Sequence, residues 1–196
     1  MAKPDLYFSA DVEADGPIPG PYSMLSFGLA VAGAFDGTAF EAADPTKDTF
    51  YAELQPISET FDPEALAVSG LDRASLTRHG QDPADAMNAA AAWITGLAAE
   101  ANATPVFVAY PLGYDWMWMY WYFMRFADKG SPFGHSRCLD MKTLYAARAS
   151  TPITRSTKRN MPSHLLSAKP HTHNALDDAI EQAELLQNLM RWTGTG

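Results

Sequence analysis

Apolar and polar positions change their period several times along this chain, and each change marks an element. Leu6-Tyr7-Phe8-Ser9-Ala10-Asp11-Val12-Glu13 alternates loosely between Pro4 and Gly16-Pro17, and it predicts a strand ending in two acids. Tyr22 to Val31 predicts a second strand, Gly33 to Lys47 a turn or loop, and Thr49 to Leu54 a third strand ended by Pro56. Three strands with short links make an antiparallel meander. Asp62-Pro63 then opens a short helix that Ser69-Gly70-Leu71 ends. Asp82-Pro83 repeats the signal for a helix reaching Ala101, with Met87, Ala90, Ala91, Ile94, Leu97 and Ala98 on one face.

Val106 to Ala109 is a short apolar strand of the kind buried within a sheet. Trp116 to Phe126 is an aromatic helix whose apolar coverage is wider than one core stripe needs, which predicts a homodimer contact. Arg137 to Met141 predicts the last strand and Thr143 to Ala149 a short helix. Thr151 to Thr172 is polar, basic and broken by three prolines. A final helix, about Asn174 to Trp192, carries Ala175, Ala179, Ala183, Leu186 and Met190 on one stripe. The order β-β-β-α-β-α-β-α is that of an α/β sandwich with five strands.

Length changes this picture little. The 196 residues suffice for one well-packed domain spanning 1–196, with a core of about 5–192. No basic-plus-apolar leader opens the chain and no run is long enough to span a bilayer, so a cytoplasmic protein is expected. The single Cys138 has no partner for a disulfide or a paired-cysteine zinc site.

Charge changes it more. The net charge of −9 argues against a polyanionic partner, but its distribution does not. Residues 141–171 hold Lys142, Arg148, Arg155, Lys158, Arg159 and Lys169 and no acid, a local +6 that leaves −15 to the remainder. Cations gathered on one side let an acidic protein hold a phosphate backbone.

Asp11 and Glu13, two apart on a strand, share a face. Two neighbouring carboxylates repel unless a proton or cation sits between them, and a hard divalent ion with oxygen ligands is the usual solution. A strand ending in two solvated acids is the plainer alternative.

The motifs elsewhere weigh against that alternative. Asp11-x-Glu13, Tyr114-Asp115 opening a helix, and His173 with Asp178 five residues on resemble the DEDDh subgroup of the DEDD 3′→5′ exonucleases. That group includes polymerase proofreading subunits, oligoribonuclease, ribonuclease T and small stand-alone exoribonucleases. The resemblance implies a ribonuclease-H-like fold: a mixed five-stranded sheet with helices on both faces. It also implies two Mg²⁺ or Mn²⁺ ions held by Asp11, Glu13, Asp115 and Asp178, and His173 as general base. An imidazole, ordinarily titrating at about 6.5, suits that role. The expected substrate is single-stranded nucleic acid, RNA favoured over DNA, released as nucleoside 5′-monophosphates. Asp178 is preferred to Asp177 as ligand, because Asn174 and Asp177 read as a helix cap and Asp178 lies on the inward, small-residue face.

The chain departs from the family's pattern at Tyr110-Pro111, where many relatives carry His-Asn, at Tyr114 in place of Phe, and at Ala14 and Asp15 in place of Thr. These positions bear on the terminal nucleotide, so substrate preference is what they alter. Tyr22, Met24 and Leu25 are candidates to stack on or wedge against a base, with core packing expected for at least two of them. Arg155, Lys158 and Arg159 are candidates for the substrate backbone. His79, His135, His164 and His171 read as surface or loop residues, and Asp140 has no counterpart among the four ligands. Two other functions stay open: a catalytically inactive nucleic-acid-binding module on the same fold, and a phosphoesterase acting on small nucleotides.

Overall fold

In the computed structural model, which describes residues 3–194, the first alternating segment becomes a ten-residue strand, β1 (Asp5–Ala14). The residues at either end of the expected 1–196 domain lie outside the described ones. β1 runs antiparallel to β2 (Met24–Phe35) and parallel to β5 (Thr104–Ala109), which in turn pairs in parallel with β6 (Cys138–Asp140). β2 takes β4 (Thr49–Glu53) along Ser26–Ala30 and β3 (Phe40–Ala42) along Gly33–Phe35. The meander is therefore as expected, with β3 added inside the stretch read as a loop. Three residues are too few to show a period. What fixes β3 is the tight turn before it, where Asp36 Oδ1 accepts the N–H groups of Thr38 and Ala39.

Among the described residues six α-helices cover the sheet: α1 (Pro63–Ser69), α2 (Arg73–His79), α3 (Pro83–Glu100), α4 (Leu112–Phe126), α5 (Met141–Arg148) and α6 (Ala175–Arg191). Asp62, Asp82 and Asn174 cap their helices through side-chain oxygens, as the sequence signals indicate. α2 buries Leu76 alone, so no apolar stripe marks it in the sequence, and Asp72 caps it. Among the described residues no helix is long and apolar enough to cross a membrane.

Alternation along β1 sends Leu6, Phe8, Ala10 and Val12 into one core with α3 and α4, and Tyr7 into another with α5 and α6. In the second core Leu185, Leu186 and Leu189 of α6 are fully buried, each contributing ~1.5–3 kcal/mol. The aromatic breadth of α4 is absorbed only in part within the chain. Trp118, Tyr122 and Phe123 are buried, Trp116 stacks on Tyr120, and Trp121 packs on Tyr122 and Phe126. Met124 and Tyr114 are the large apolar side chains of this helix left exposed among the described residues. Trp116, Tyr120, Trp121 and Phe126 stay half-buried, so apolar surface beyond one core stripe persists on this helix.

One close approach positions everything that follows. Gly28 of β2 lies directly opposite Asp11 of β1, and the first residue of α6 rests on it. A Cβ at Gly28 would lie 2.3 Å from the Ala175 carbonyl oxygen, so only glycine lets α6 start there.

Candidate active site

Four segments meet at the C-terminal end of β1. Asp11 and Glu13 point from the strand on the α6 side, both half-buried. Asp178, in the first turn of α6, is fully buried. One carboxylate oxygen from each of these three lies within 4.8 Å of the others. Asp115, in the first turn of α4, is also buried, and its Oδ1 accepts the Val12 N–H at 3.1 Å. It therefore sits against the backbone of β1, beside the tight trio and not within it. The reason is topological: α4 covers the opposite face of the sheet and reaches the site over the strand's end.

Crowding leaves its mark on these acids. Burial, followed by the charges of Asp115, Glu13 and Asp178, holds the Asp11 carboxyl well above the usual range. Glu13 is pushed up to about 7 by burial and then by Asp178. Burial also raises Asp115 to about 7, against the hydrogen bond from Val12. A lone proton or a cation relieves such a cluster, and the donor set here is all oxygen, which fits a hard divalent ion.

Three neighbours hold the acids in place. Gln182, one turn beyond Asp178, donates from Nε2 to Asp11 Oδ1 at 2.8 Å and accepts the Tyr110 N–H at 2.7 Å. Lys158 pairs with Glu181 of α6, lies 5.5 Å from the centre of the Tyr110 ring, and opposes the raised pKa of Asp11 and Asp115. Asp140, left without a role by the sequence, caps α5 and accepts the Leu112 N–H at 3.1 Å, fixing the start of α4.

The loop before α6 wraps the last acid. Asp178 Oδ1 accepts from Thr172 N and Oδ2 from His173 N, both at 2.9 Å. Asp177 is exposed, and Asn174 caps the helix through Leu176 N and Asp177 N, so the helical period separates the two acids as expected. His173 is exposed, with a left-handed φ of 58°. His171, read as a loop residue, is exposed too, but its Nδ1 lies 3.1 Å from Asp178 Oδ2 and its ring centre 4.5 Å from that of His173. The His-x-His spacing was the available signal. His79, His135 and His164 are surface residues away from this cluster.

The substrate-binding candidates divide. Met24 and Leu25 are fully buried, and Met24 N donates to Tyr122 Oη at 2.7 Å, so Met24 belongs to the core and not to a base-stacking surface. Tyr22 is half-buried with its ring packed on Gly16, where a Cβ would lie 2.1 Å away. Ala14 and Asp15 are buried as well, and full burial removes the Asp15 side chain from contact with a nucleotide. Asp15 instead accepts from Ser23 N at 2.6 Å and from Arg73 Nε at 2.8 Å. Arg73 was invisible in sequence because α2 was.

Tyr110 anchors the basic segment through its hydroxyl, which donates to Ser156 O at 2.5 Å. Within that segment Arg155 and Arg159 are exposed, while Lys158 is drawn into the site. Arg148 donates to the carbonyls of Leu189 and Trp192, and Lys169 pairs with Glu184 at 2.5 Å. The local charge of +6 is thus partly spent on holding α6. A cleft of 270 Å³ lined by Val12, Glu13, Ala14, Ala65, Val68 and Tyr114 opens beside Glu13. Larger cavities, of 540 and 400 Å³, lie away from the acids, at α1–α2 and between α3 and residues 128–132.

No family model matches the chain. An Escherichia coli protein named 3′-5′ DNA exonuclease Cap18 is 40% identical over 188 residues, 93% of this chain and 90% of that protein. The nuclease domain of 3′hExo bound to rAMP, titled a DEDDh family member, superposes with a TM-score of 0.69 at 10% identity, over 97% of this chain and 93% of that one. E. coli exonuclease I in complex with a dA16 oligonucleotide gives 0.57 at 16% identity, over 95% of this chain and 40% of that longer one. Both structures share the ribonuclease-H-like fold described above.

Proposed function

The chain belongs to the DEDDh branch of the DEDD 3′→5′ exonucleases, and from that premise we propose that it degrades single-stranded DNA to nucleoside 5′-monophosphates. The observation that carries this reading is the convergence of Asp11, Glu13 and Asp178 within 4.8 Å at the end of β1. DNA replaces the RNA preference suggested by small exoribonucleases, because the 40%-identical relative is named for DNA.

Asp11, Glu13 and Asp178, with Asp115 beside them, would hold two divalent ions, Mg²⁺ or Mn²⁺ by their oxygen-only donors. Such a pair, when bound, activates water and stabilises charge on the attacking and leaving oxygens. The chain's own groups do the rest. His173, on the solvent side of the cluster, takes the proton of the attacking water. Oxygen adds to phosphorus, the bond to the 3′ oxygen of the preceding nucleotide breaks, and that oxygen takes a proton from solvent water and leaves as a new 3′ hydroxyl. Gln182 keeps Asp11 oriented, and Lys158 offsets the anionic field. The cleft beside Glu13, with the exposed Tyr114, receives the terminal nucleoside, and Arg155 and Arg159 meet the phosphates behind it. All these side chains come from one chain, so the reading does not require the homodimer.

The test compares matched single-stranded DNA and RNA, labelled at either end, with Mg²⁺, Mn²⁺ or a chelator. Metal-dependent release of labelled mononucleotide from the 3′ end of DNA is expected. Retention of nucleic acid without hydrolysis would favour an inactive binding module, and turnover of dinucleotides alone a small-substrate phosphoesterase.

A further inference from the structure

We propose that His171, His173 and Asp178 form a zinc site that overlaps the carboxylate cluster and shares only Asp178 with it. The donors point to the metal. Two imidazoles and one carboxylate suit zinc, a borderline ion, better than magnesium or calcium, which take oxygen. Neither imidazole belongs to the all-oxygen trio of Asp11, Glu13 and Asp178.

Geometry supports the assignment. One ligand atom from each of the three residues lies within 4.8 Å of the others. In a tetrahedral zinc site with bonds of about 2.1 Å, neighbouring ligand atoms are about 3.4 Å apart. His171 Nδ1 and Asp178 Oδ2 already stand 3.1 Å apart. The His173 ring is centred 4.5 Å from that of His171, at 72° to it, so both imidazoles stand on the same side of the carboxylate.

The backbone is organised for it as well. Asp178 accepts the N–H groups of Thr172 and His173, so the loop carrying both imidazoles is folded around the carboxylate that would share their metal. Hydrogen bonds to a ligating carboxylate orient it and hold its position. Both rings are exposed, which leaves an entry path and room for a water as fourth ligand. The plainer account of the short His171–Asp178 distance is a hydrogen bond with no metal role, and the experiment separates the two.

One consequence rests on the proposed nuclease reading: zinc in this site takes His173 and Asp178 out of catalysis, so zinc inhibits. Binding itself does not depend on that reading. Metal-free full-length protein would be titrated with Zn²⁺ against a chromophoric chelator, and with Co²⁺ while the visible bands of four-coordinate cobalt are followed. One zinc per chain and a cobalt spectrum are expected. His171→Gln should weaken zinc by more than roughly tenfold, since loss of even an indirect partner of a metal ligand costs that much. Asp11→Asn should leave zinc affinity little changed. Equal zinc affinity in His171→Gln and the parent chain overturns the site, as does loss of zinc binding in Asp11→Asn. With Mg²⁺ present, His171→Gln should keep its exonuclease rate and escape zinc inhibition. If the chain proves not to be a nuclease, the titrations still decide the site.

Discussion

The side-chain amide of Gln182 donates to Asp11 Oδ1 at 2.8 Å across 171 residues of sequence. Its carbonyl accepts the Tyr110 N–H, which fixes the amide's orientation and leaves only its NH₂ to face the acid. Gln182→Leu strips a partner from each of two half-buried groups, at a cost of about 1–3 kcal/mol for each. Gln182→Glu should be worse near neutral pH, where it adds a charge to a crowded cluster, and should recover in acid, where a protonated glutamate again donates. Denaturant unfolding across pH reads this directly, and a Gln182→Glu protein as stable as the parent at pH 8 contradicts it.

Glu13 gives the pH dependence a sign. Its carboxyl rises from 4.5 to about 7 on folding, by burial first and Asp178 second. A raised carboxyl means that the folded chain binds the proton more tightly. Its stabilising contribution is therefore full below the unfolded value and is lost as pH climbs through about 7. Metal-free protein should lose stability across that window, and Glu13→Gln should flatten the loss. Saturating Mg²⁺ should restore stability to the parent above pH 7. An identical slope in Glu13→Gln would remove this residue from the cause.

The two acids of α6 should behave oppositely. Asp178→Asn should abolish exonuclease turnover while the fold persists, and Asp177→Asn should leave the rate near that of the parent. His173→Ala should slow turnover by roughly 10²–10⁴-fold, the range for a positioned general base, with little change in metal affinity. A pH–rate profile in which His173→Ala keeps the parent's acidic limb excludes the imidazole as base.

Arg73 is a structural counterpart. Its guanidinium pairs with Asp15, whose side chain is fully buried, and lies 5.1 Å from the centre of the Phe61 ring. Arg73→Ala strands that carboxylate, which should cost roughly 3–5 kcal/mol. Asp15→Asn combined with Arg73→Ala should recover part of the loss, because the stranded charge is then gone. A double variant no more stable than Arg73→Ala alone would show that the pair's charge is not what matters.

Among the basic residues, Arg155 and Arg159 should account for salt-dependent binding. Each phosphate contact to a single strand contributes about −0.7 to the slope of log affinity against log salt. Replacing both with Gln should flatten the slope by about two such contacts and leave turnover at saturating substrate nearly unchanged. Lys158→Met should instead perturb the site, since Lys158 is paired with Glu181 beside the acids. Equal salt slopes in the parent and the Arg155/Arg159 variant would assign those cations to solvent.

Local periodicity determined much of this protein. A two-residue repeat places Asp11 and Glu13 on one face of β1, and a helical repeat separates buried Asp178 from exposed Asp177. The caps at Asp62, Asp82 and Asn174 follow from oxygen-bearing side chains before orphan N–H groups. Such features depend on neighbours within a few positions, so the sequence carries them. Tertiary structure alone decided which distant groups meet. The contact of Gly28 with Ala175 brings α6 onto the sheet and delivers Asp178 to Asp11. The same stacking joins Gln182 to Asp11, Lys158 to Glu181 and His171 to Asp178. It also buries Met24 and pairs Arg73 with Asp15. A side chain's chemistry states what kind of partner it needs, but the partner is supplied by the way sheet and helices stack, and no short-range pattern records that.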